Sequence, residues 1–491
     1  MTNMSLAAPQ ALSQRPLLFL SCFLLSAASH AQSSDDSAFN AAREAFRKGD
    51  LPRLELAIEQ IGNHPLAAYA ENYRLRNLLA KDDARGIPAF LDANEGSYVA
   101  EKLRADWLRV LVKDANWSTA QREATRLIAP DTELNCLAQQ AALNQGERAA
   151  LERAESLWLE EPNPPETCQP VLDALVASGP MDVDKVWARA RLQIEINRPQ
   201  AARRTLDYLP ENRVRELAAF DQTIKNAMLH LARQPANWAA TRGGRELTAI
   251  ALRYVAANDP RIAAAELEKR QAQLGASEAQ WAWSQIALQA ARKHQPEALG
   301  YYERAGDAAL SEENQQWKVR TALRQQAWAR VRQAILAMPP RLAERPEWVY
   351  WLGRAEKAGG RSEEGRKLFA RIAGQASFYG NLAEEELGRA VATPPQAAPV
   401  TLPEMQAARE NPGLQRALAF FRLDLRTEAV REWNWSLRGM NDRQLLAAAR
   451  LAEENRLWDR AINTAERTQE EHDYQLRCLA PYADQIRPAA R

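Results

Sequence analysis

The side chains able to do chemistry in this chain of 491 residues are mostly aromatic and acidic. Fourteen tryptophans can stack on sugar rings or fill helix seams. Trp281 and Trp283, Tyr301 and Tyr302, and Trp433 and Trp435 stand next to one another or one residue apart. On a helix such neighbours point in different directions, so at least one of each group is expected in the core. The exposed members are candidates for glycan contact. The acid-hydroxyl dipeptide Glu155-Ser156 lies in an apolar-striped helix ending Leu157-Trp158-Leu159. A lone acid on a helix face has nothing to raise its pKa, so Glu155 reads as a solvated residue and no catalytic residue is assigned. Five histidines, at 30, 64, 230, 294 and 472, lack metal-ligand spacing. Gly-rich phosphate loops and nucleophile elbows are missing too, so no metal and no cofactor are expected.

The elements that must position these residues are helices. Ala, Leu, Arg and Glu dominate and Gly is held to 20 residues, a composition that favours helix almost throughout. One local pattern recurs: a striped helix, a short polar turn, then a second helix. Examples turn at Lys48-Gly49-Asp50, Asn144-Gln145-Gly146, Asn197-Arg198-Pro199, Asn258-Asp259-Pro260 and His294-Gln295-Pro296. Each offers a residue tolerant of left-handed backbone or a proline suited to a first helical turn. Such hairpins stack into solenoids. The sharpest copy runs from Trp351-Leu352-Gly353 through Gly359-Gly360-Arg361 to Gly365 and Leu368-Phe369, and resembles a tetratricopeptide unit. Gly353 and Gly365 let its helices approach, with Leu352 and Phe369 beside them. The expected fold is all-α, a superhelical solenoid of helix-turn-helix repeats, U- or ring-shaped.

Sixty-four basic residues against 63 acidic ones leave a net charge of +1, which gives no global field for nucleic acid. Arg15 and the apolar run Leu17–Leu25, followed by Ser29-His30-Ala31, have the form of a signal peptide cleaved near Ala31. The run is too short for a permanent membrane span. Export to the periplasm is therefore expected, and Cys22 sits in a poor context for lipidation. In an oxidising compartment two of Cys136, Cys168 and Cys478 can pair. A Cys136–Cys168 bridge would tie the ends of one hairpin, and the alternative is three buried thiols. Prolines 394, 395 and 399 interrupt helix formation. The expected divisions are a signal peptide over 1–31, a superhelical domain over 32–391, a connection over 392–401, a small helical domain over 402–475, and a lead into further chain over 476–491.

Three blocks carry a family resemblance. Trp348-Val349-Tyr350-Trp351-Leu352-Gly353-Arg354-Ala355, the Gly359-Gly360-Arg361 turn and Phe378-Tyr379-Gly380-Asn381-Leu382-Ala383 resemble the end of the superhelical U domain of soluble lytic murein transglycosylases. Cys136 and Cys168, spanning Leu157-Trp158-Leu159, are similar to that family's disulfide-linked hairpin. Arg431-Glu432-Trp433, Leu457-Trp458-Asp459-Arg460-Ala461 and Cys478-Leu479-Ala480-Pro481-Tyr482 are similar to its linker domain. The resemblance implies cleavage of the β-1,4 bond between N-acetylmuramic acid and N-acetylglucosamine, with a 1,6-anhydro product and one glutamate as acid and base. That glutamate lies in a Glu-Ser motif followed by Gly-Leu-Met-Gln and Ala-Tyr-Asn-Ala-Gly, and the companions do not occur here. The reading is thus a scaffold with the catalytic domain missing, inactive alone, whose partners are peptidoglycan strands and other cell-wall enzymes. The alternative is a periplasmic adaptor that binds a protein partner.

Overall fold

The structure, a computed structural model, describes residues 36–179, 182–209, 218–375, 377–391 and 395–489. The expected signal peptide, including Cys22, lies outside them. The described residues are helical almost throughout and contain no strand, only an isolated bridge between Gln396 and His472. The expected all-α architecture of helical hairpins is what the chain adopts. None of the described helices is long and apolar enough to cross a membrane.

The described residues form two compact units, one from those up to Ala141 together with those from Pro395 onward, the other from those between Ala142 and Val391. In the first unit the helix at 36–48 and the helices Leu51–Ile61, Ala67–Leu79 and Tyr98–Lys113 share a core with residues near the end of the chain. Phe39, Tyr69, Tyr73, Ala419, Phe420, Leu425 and Ala429 are all buried in that core. Phe420 meets the Tyr69 ring edge-on at 4.7 Å and the Phe39 ring at 5.9 Å, the geometry that aromatic quadrupoles favour.

Beside these rings lies a buried ionic contact. Glu432 is fully buried on the helix Arg426–Ser436 and accepts from Arg416 Nε at 2.6 Å and from the Tyr69 hydroxyl. Burial first, and the Glu432 charge next, hold the Tyr69 hydroxyl well above the usual phenol pKa. Tyr69 therefore stays a donor.

The helices Leu402–Glu410, Pro412–Arg422, Arg426–Ser436, Asp442–Glu454 and Trp458–Ala465 build the rest of this unit. Two begin with reciprocal caps, Thr401 with Glu404 and Asn441 with Gln444, which satisfy backbone N–H groups that the first turn leaves open. The carbonyls of Ala398 and Pro399, in a stretch where proline denies helix formation, accept from the Arg443 guanidinium at 2.8 and 3.1 Å.

In the second unit the long helices Arg242–Asn258 and Ala276–Arg292 are covered on several sides by other helices. The recurring turns have the backbone that their residues suggested. Gly49, Gly146, Asn197, His294 and Gly360 all have positive φ, and Asp259 caps a helix that opens at Pro260. Ala115, Gln326 and Arg456 also take left-handed backbone at turns, at positions held by neither glycine nor asparagine.

The hairpin of Pro346–Ala358 and Ser362–Ile372 is packed around its glycines. A Cβ on Gly365 would stand 2.8 Å from the Gly353 carbonyl oxygen, and one on Gly353 would stand 2.6 Å from the Phe369 ring. Cys136 and Cys168 are buried and each is in a disulfide, while Cys478 is an exposed free thiol. That excludes three buried thiols.

Three outcomes are expected. Gly365→Ala should lower stability by about 1–3 kcal/mol in thermal or urea unfolding, because the clash is with backbone that cannot turn aside. Glu432→Ala should cost about 3 kcal/mol or more, since it strands a shielded guanidinium and a buried hydroxyl; a change under 0.5 kcal/mol would show the contact to be incidental. Non-reducing peptide mapping should find Cys136 joined to Cys168 and Cys478 alkylated.

Candidate functional site

The helix Tyr98–Lys113 starts at Ser97, whose side chain accepts from the Ala100 N–H at 3.2 Å. Helical periodicity then sets Tyr98, Lys102, Ala105, Asp106 and Arg109 along one face. The helix Arg426–Ser436 turns Arg431, Asn434 and Trp435 toward them, at the i, i+3 and i+4 spacing of a single face. Arg438 follows that helix and Arg467 follows Trp458–Ala465. These residues enclose a cleft of about 710 Å³ inside the first unit.

Trp435 is held at its rim. Its indole N–H donates to the Gly96 carbonyl at 2.9 Å, and its ring centroid lies 5.4 Å from that of Tyr98. The Arg438 guanidinium carbon sits 3.7 Å from the centre of the indole, a close cation–π contact.

Charge in the cleft is uneven. Its carboxylates are occupied: Glu101 accepts from the backbone N–H groups of Ile128 and Ala129, and Asp106 pairs with Arg76 at 2.7 Å and Arg109 at 3.1 Å. Arg109 also makes a forked pair with Glu133 at 3.0 Å. Lys102, Arg431, Arg438 and Arg467 differ, for among the described residues none has a carboxylate within ion-pair distance. Arg467 donates only to the Asn434 side-chain oxygen, at 2.7 Å. Burial, with the Arg76 charge next, lowers the Lys102 pKa, and burial with Arg460 and Arg438 lowers that of Arg467. In both, removal from water is the larger cause and neighbouring cations the smaller one.

The aromatic candidates separate on burial. Trp281, Trp283, Tyr302 and Trp433 are enclosed and cannot stack on a glycan. Trp281 and Trp283, candidates for glycan contact only if exposed, are both in the core: Ala276–Arg292 has neighbours on more than one side, so both rings find a seam. The Tyr302 hydroxyl donates to the Asn314 side chain at 2.8 Å, and the Trp433 N–H donates to Thr464 at 2.9 Å. Tyr301 is half-buried with its ring stacked on Trp283 at 5.6 Å. Trp435, also half-buried, alone of the six lines this cleft.

No carboxyl stands ready as a general acid among those singled out. Glu155 is half exposed and paired with Lys185. Burial raises the pKa of Glu195 and of Glu246, but both are committed to joining helices. Glu195 accepts from Gln285 Nε2 at 2.8 Å and from Ser311, and Glu246 is held in a fork by Arg191 at 2.7 and 2.8 Å. Among the described residues no His, Cys, Asp and Glu cluster could hold a metal ion.

The helices behind Trp435 define a known class of domain. Residues 407–471 match the family model described as the soluble lytic murein transglycosylase L domain. No curated protein matches the chain. Among solved structures, an inactive mutant of the lytic transglycosylase Slt from Pseudomonas aeruginosa is similar at 24% identity and a TM-score of 0.69, over 92% of this chain and 74% of that one. The 70 kDa soluble lytic transglycosylase of Escherichia coli is similar at 21% identity and a TM-score of 0.58, over 88% of this chain and 70% of that one. A complex of the 70 kDa soluble lytic transglycosylase with bulgecin A is similar at 20% identity and a TM-score of 0.57, with the same coverage. Residues 407–471 thus match the L-domain model of the soluble lytic murein transglycosylases, and the chain shares its fold with lytic transglycosylases over most of its length.

The sequence pointed to Trp435 but not to Lys102, Arg431, Arg438, Arg467 or Tyr98. Arginine is too common here for three without an ion pair to stand out before their partners are known.

Proposed function

We propose that this chain is the scaffold region of an exported, periplasmic soluble lytic transglycosylase, and that it holds peptidoglycan strands without cleaving them. The L-domain match over 407–471 carries the reading. A cleft in the same unit that combines aromatic rings with hydrogen-bonding cations supports it, since glycans are bound by ring stacking and polar contacts. The divisions at 1–31, 32–391, 402–475 and 476–491 belong to the same proposal. Other cell-wall enzymes are its proposed protein partners.

The state of three carboxyls supports the absence of cleavage. A glycosidic bond needs a positioned proton donor whose pKa is held up in a site open to substrate. Glu155 is ion-paired, and Glu195 and Glu246 are engaged between helices. Purified protein should sediment with sacculi and should release no 1,6-anhydromuropeptides, as read by chromatography of the soluble fraction. Anhydro products lost on Glu155→Gln or Glu195→Gln would place a general acid in this chain and overturn the reading.

A further inference from the structure

We infer that the cleft between Tyr98–Lys113 and Arg431–Arg438 is a subsite for the carboxylates of peptide stems carried on a glycan strand, with Arg431 and Arg438 as the anion-binding residues and Trp435 as the support of Arg438. This inference rests on the peptidoglycan reading above and names the part of the polymer that the cleft takes.

Pairing is the first observation. Arginines elsewhere in the chain are matched to acids over and over, for example Arg76 to Asp106, Arg191 to Glu246, Arg416 to Glu432 and Arg443 to Glu404. In this cleft Lys102, Arg431, Arg438 and Arg467 make no ion pair among the described residues, although Glu101, Asp106 and Asp131 line it and the Asp106 charge acts on Lys102. Gathering like charges costs free energy unless a ligand supplies the opposite sign. Burial is the largest cause of the lowered Lys102 pKa; the Arg76 charge adds to it, Asp106 opposes it, and Arg431 contributes less.

The second observation is how Arg438 is held. The Trp435 face, and not a carboxylate, positions its guanidinium, so its N–H groups keep their capacity for a forked contact with a carboxylate. Trp435 is in turn pinned by its bond to the Gly96 carbonyl, and Arg467 is oriented by Asn434. Donors held in advance lose less entropy on binding.

The third observation selects the anion. Glu101, Asp106 and Asp131 line the same cleft. A continuous polyphosphate would run its charges past them, whereas separate carboxylates on a neutral sugar chain can meet the cations alone. The cleft volume of about 710 Å³ suits a sugar-peptide segment. Stem peptides supply such carboxylates at intervals along the strand.

The test measures binding of the whole purified chain, by intrinsic tryptophan fluorescence and by sedimentation. The probes are soluble glycan strands bearing stems, strands stripped of stems by an amidase, free stem peptide, and single-stranded DNA. Intact strands should bind at least tenfold more tightly than stripped strands or free peptide, and more tightly than DNA. The double variant Arg431→Ala/Arg438→Ala should lose that tenfold preference. Both side chains are exposed, so it should fold, which circular dichroism and Tm confirm; Arg431→Glu offers an independent second variant. Equal binding of intact and stripped strands, equal binding of free peptide, or a preference unchanged in both variants would overturn the inference while the glycan-holding reading stands. Tighter binding of DNA would overturn it in favour of a polyphosphate site. Failure of the wild-type chain to bind strands or sacculi of any kind would overturn the broader reading itself.

Discussion

Glu432 anchors the first unit. Its carboxylate is taken fully out of water and is stable there only because Arg416 and the Tyr69 hydroxyl both donate to it. Tyr69 and Glu432 lie 363 positions apart in the chain, so this contact is made only when the early helices and the L-domain helices have come together. The edge-on rings of Phe39, Tyr69 and Phe420 supply the apolar burial around it. The ionic contact then selects one register, because a slipped arrangement would leave a charge and a hydroxyl unsatisfied.

The cleft depends on that register. One of its walls is the face of Tyr98–Lys113, and the other comes from Arg426–Ser436, the helix that also carries Glu432. Glu432 and Trp433 point inward from this helix, while Arg431, Asn434 and Trp435 reach the cleft. One short segment thus divides its side chains between holding the unit together and forming a site. The Trp435 bond to Gly96 crosses the same junction and ties the rim of the cleft to the packing below it.

A net charge of +1 conceals how the charges are used. Many arginines serve as connectors between helices, where a fork of N–H groups reaches carboxylates or open carbonyls. Arg443 does this for Glu404, Glu471 and the carbonyls of Ala398 and Pro399. Against this background, four cations of the cleft stand out because they make no ion pair among the described residues. That distinction is a property of the folded chain alone.

The sequence by itself determined the helical class, the hairpin turns at Gly49, Gly146, Asn197, His294 and Gly360, and the close approach at Gly353 and Gly365. These depend on backbone preferences and periodicity within one hairpin, and such local terms are written into neighbouring residues. Left-handed turns at Ala115, Gln326 and Arg456 escaped it, since packing of the flanking helices imposes a conformation that those residues do not favour. Tertiary structure decided which aromatics are enclosed. Trp281 and Trp283 look like a split pair in sequence, yet their helix is covered on more than one side, whereas Trp433 and Trp435 do divide between core and cleft. It also decided which arginines are spent and which remain available. The physical reason is that a side chain's burial and the compensation of its charge depend on residues hundreds of positions away, and no spacing along the chain records them.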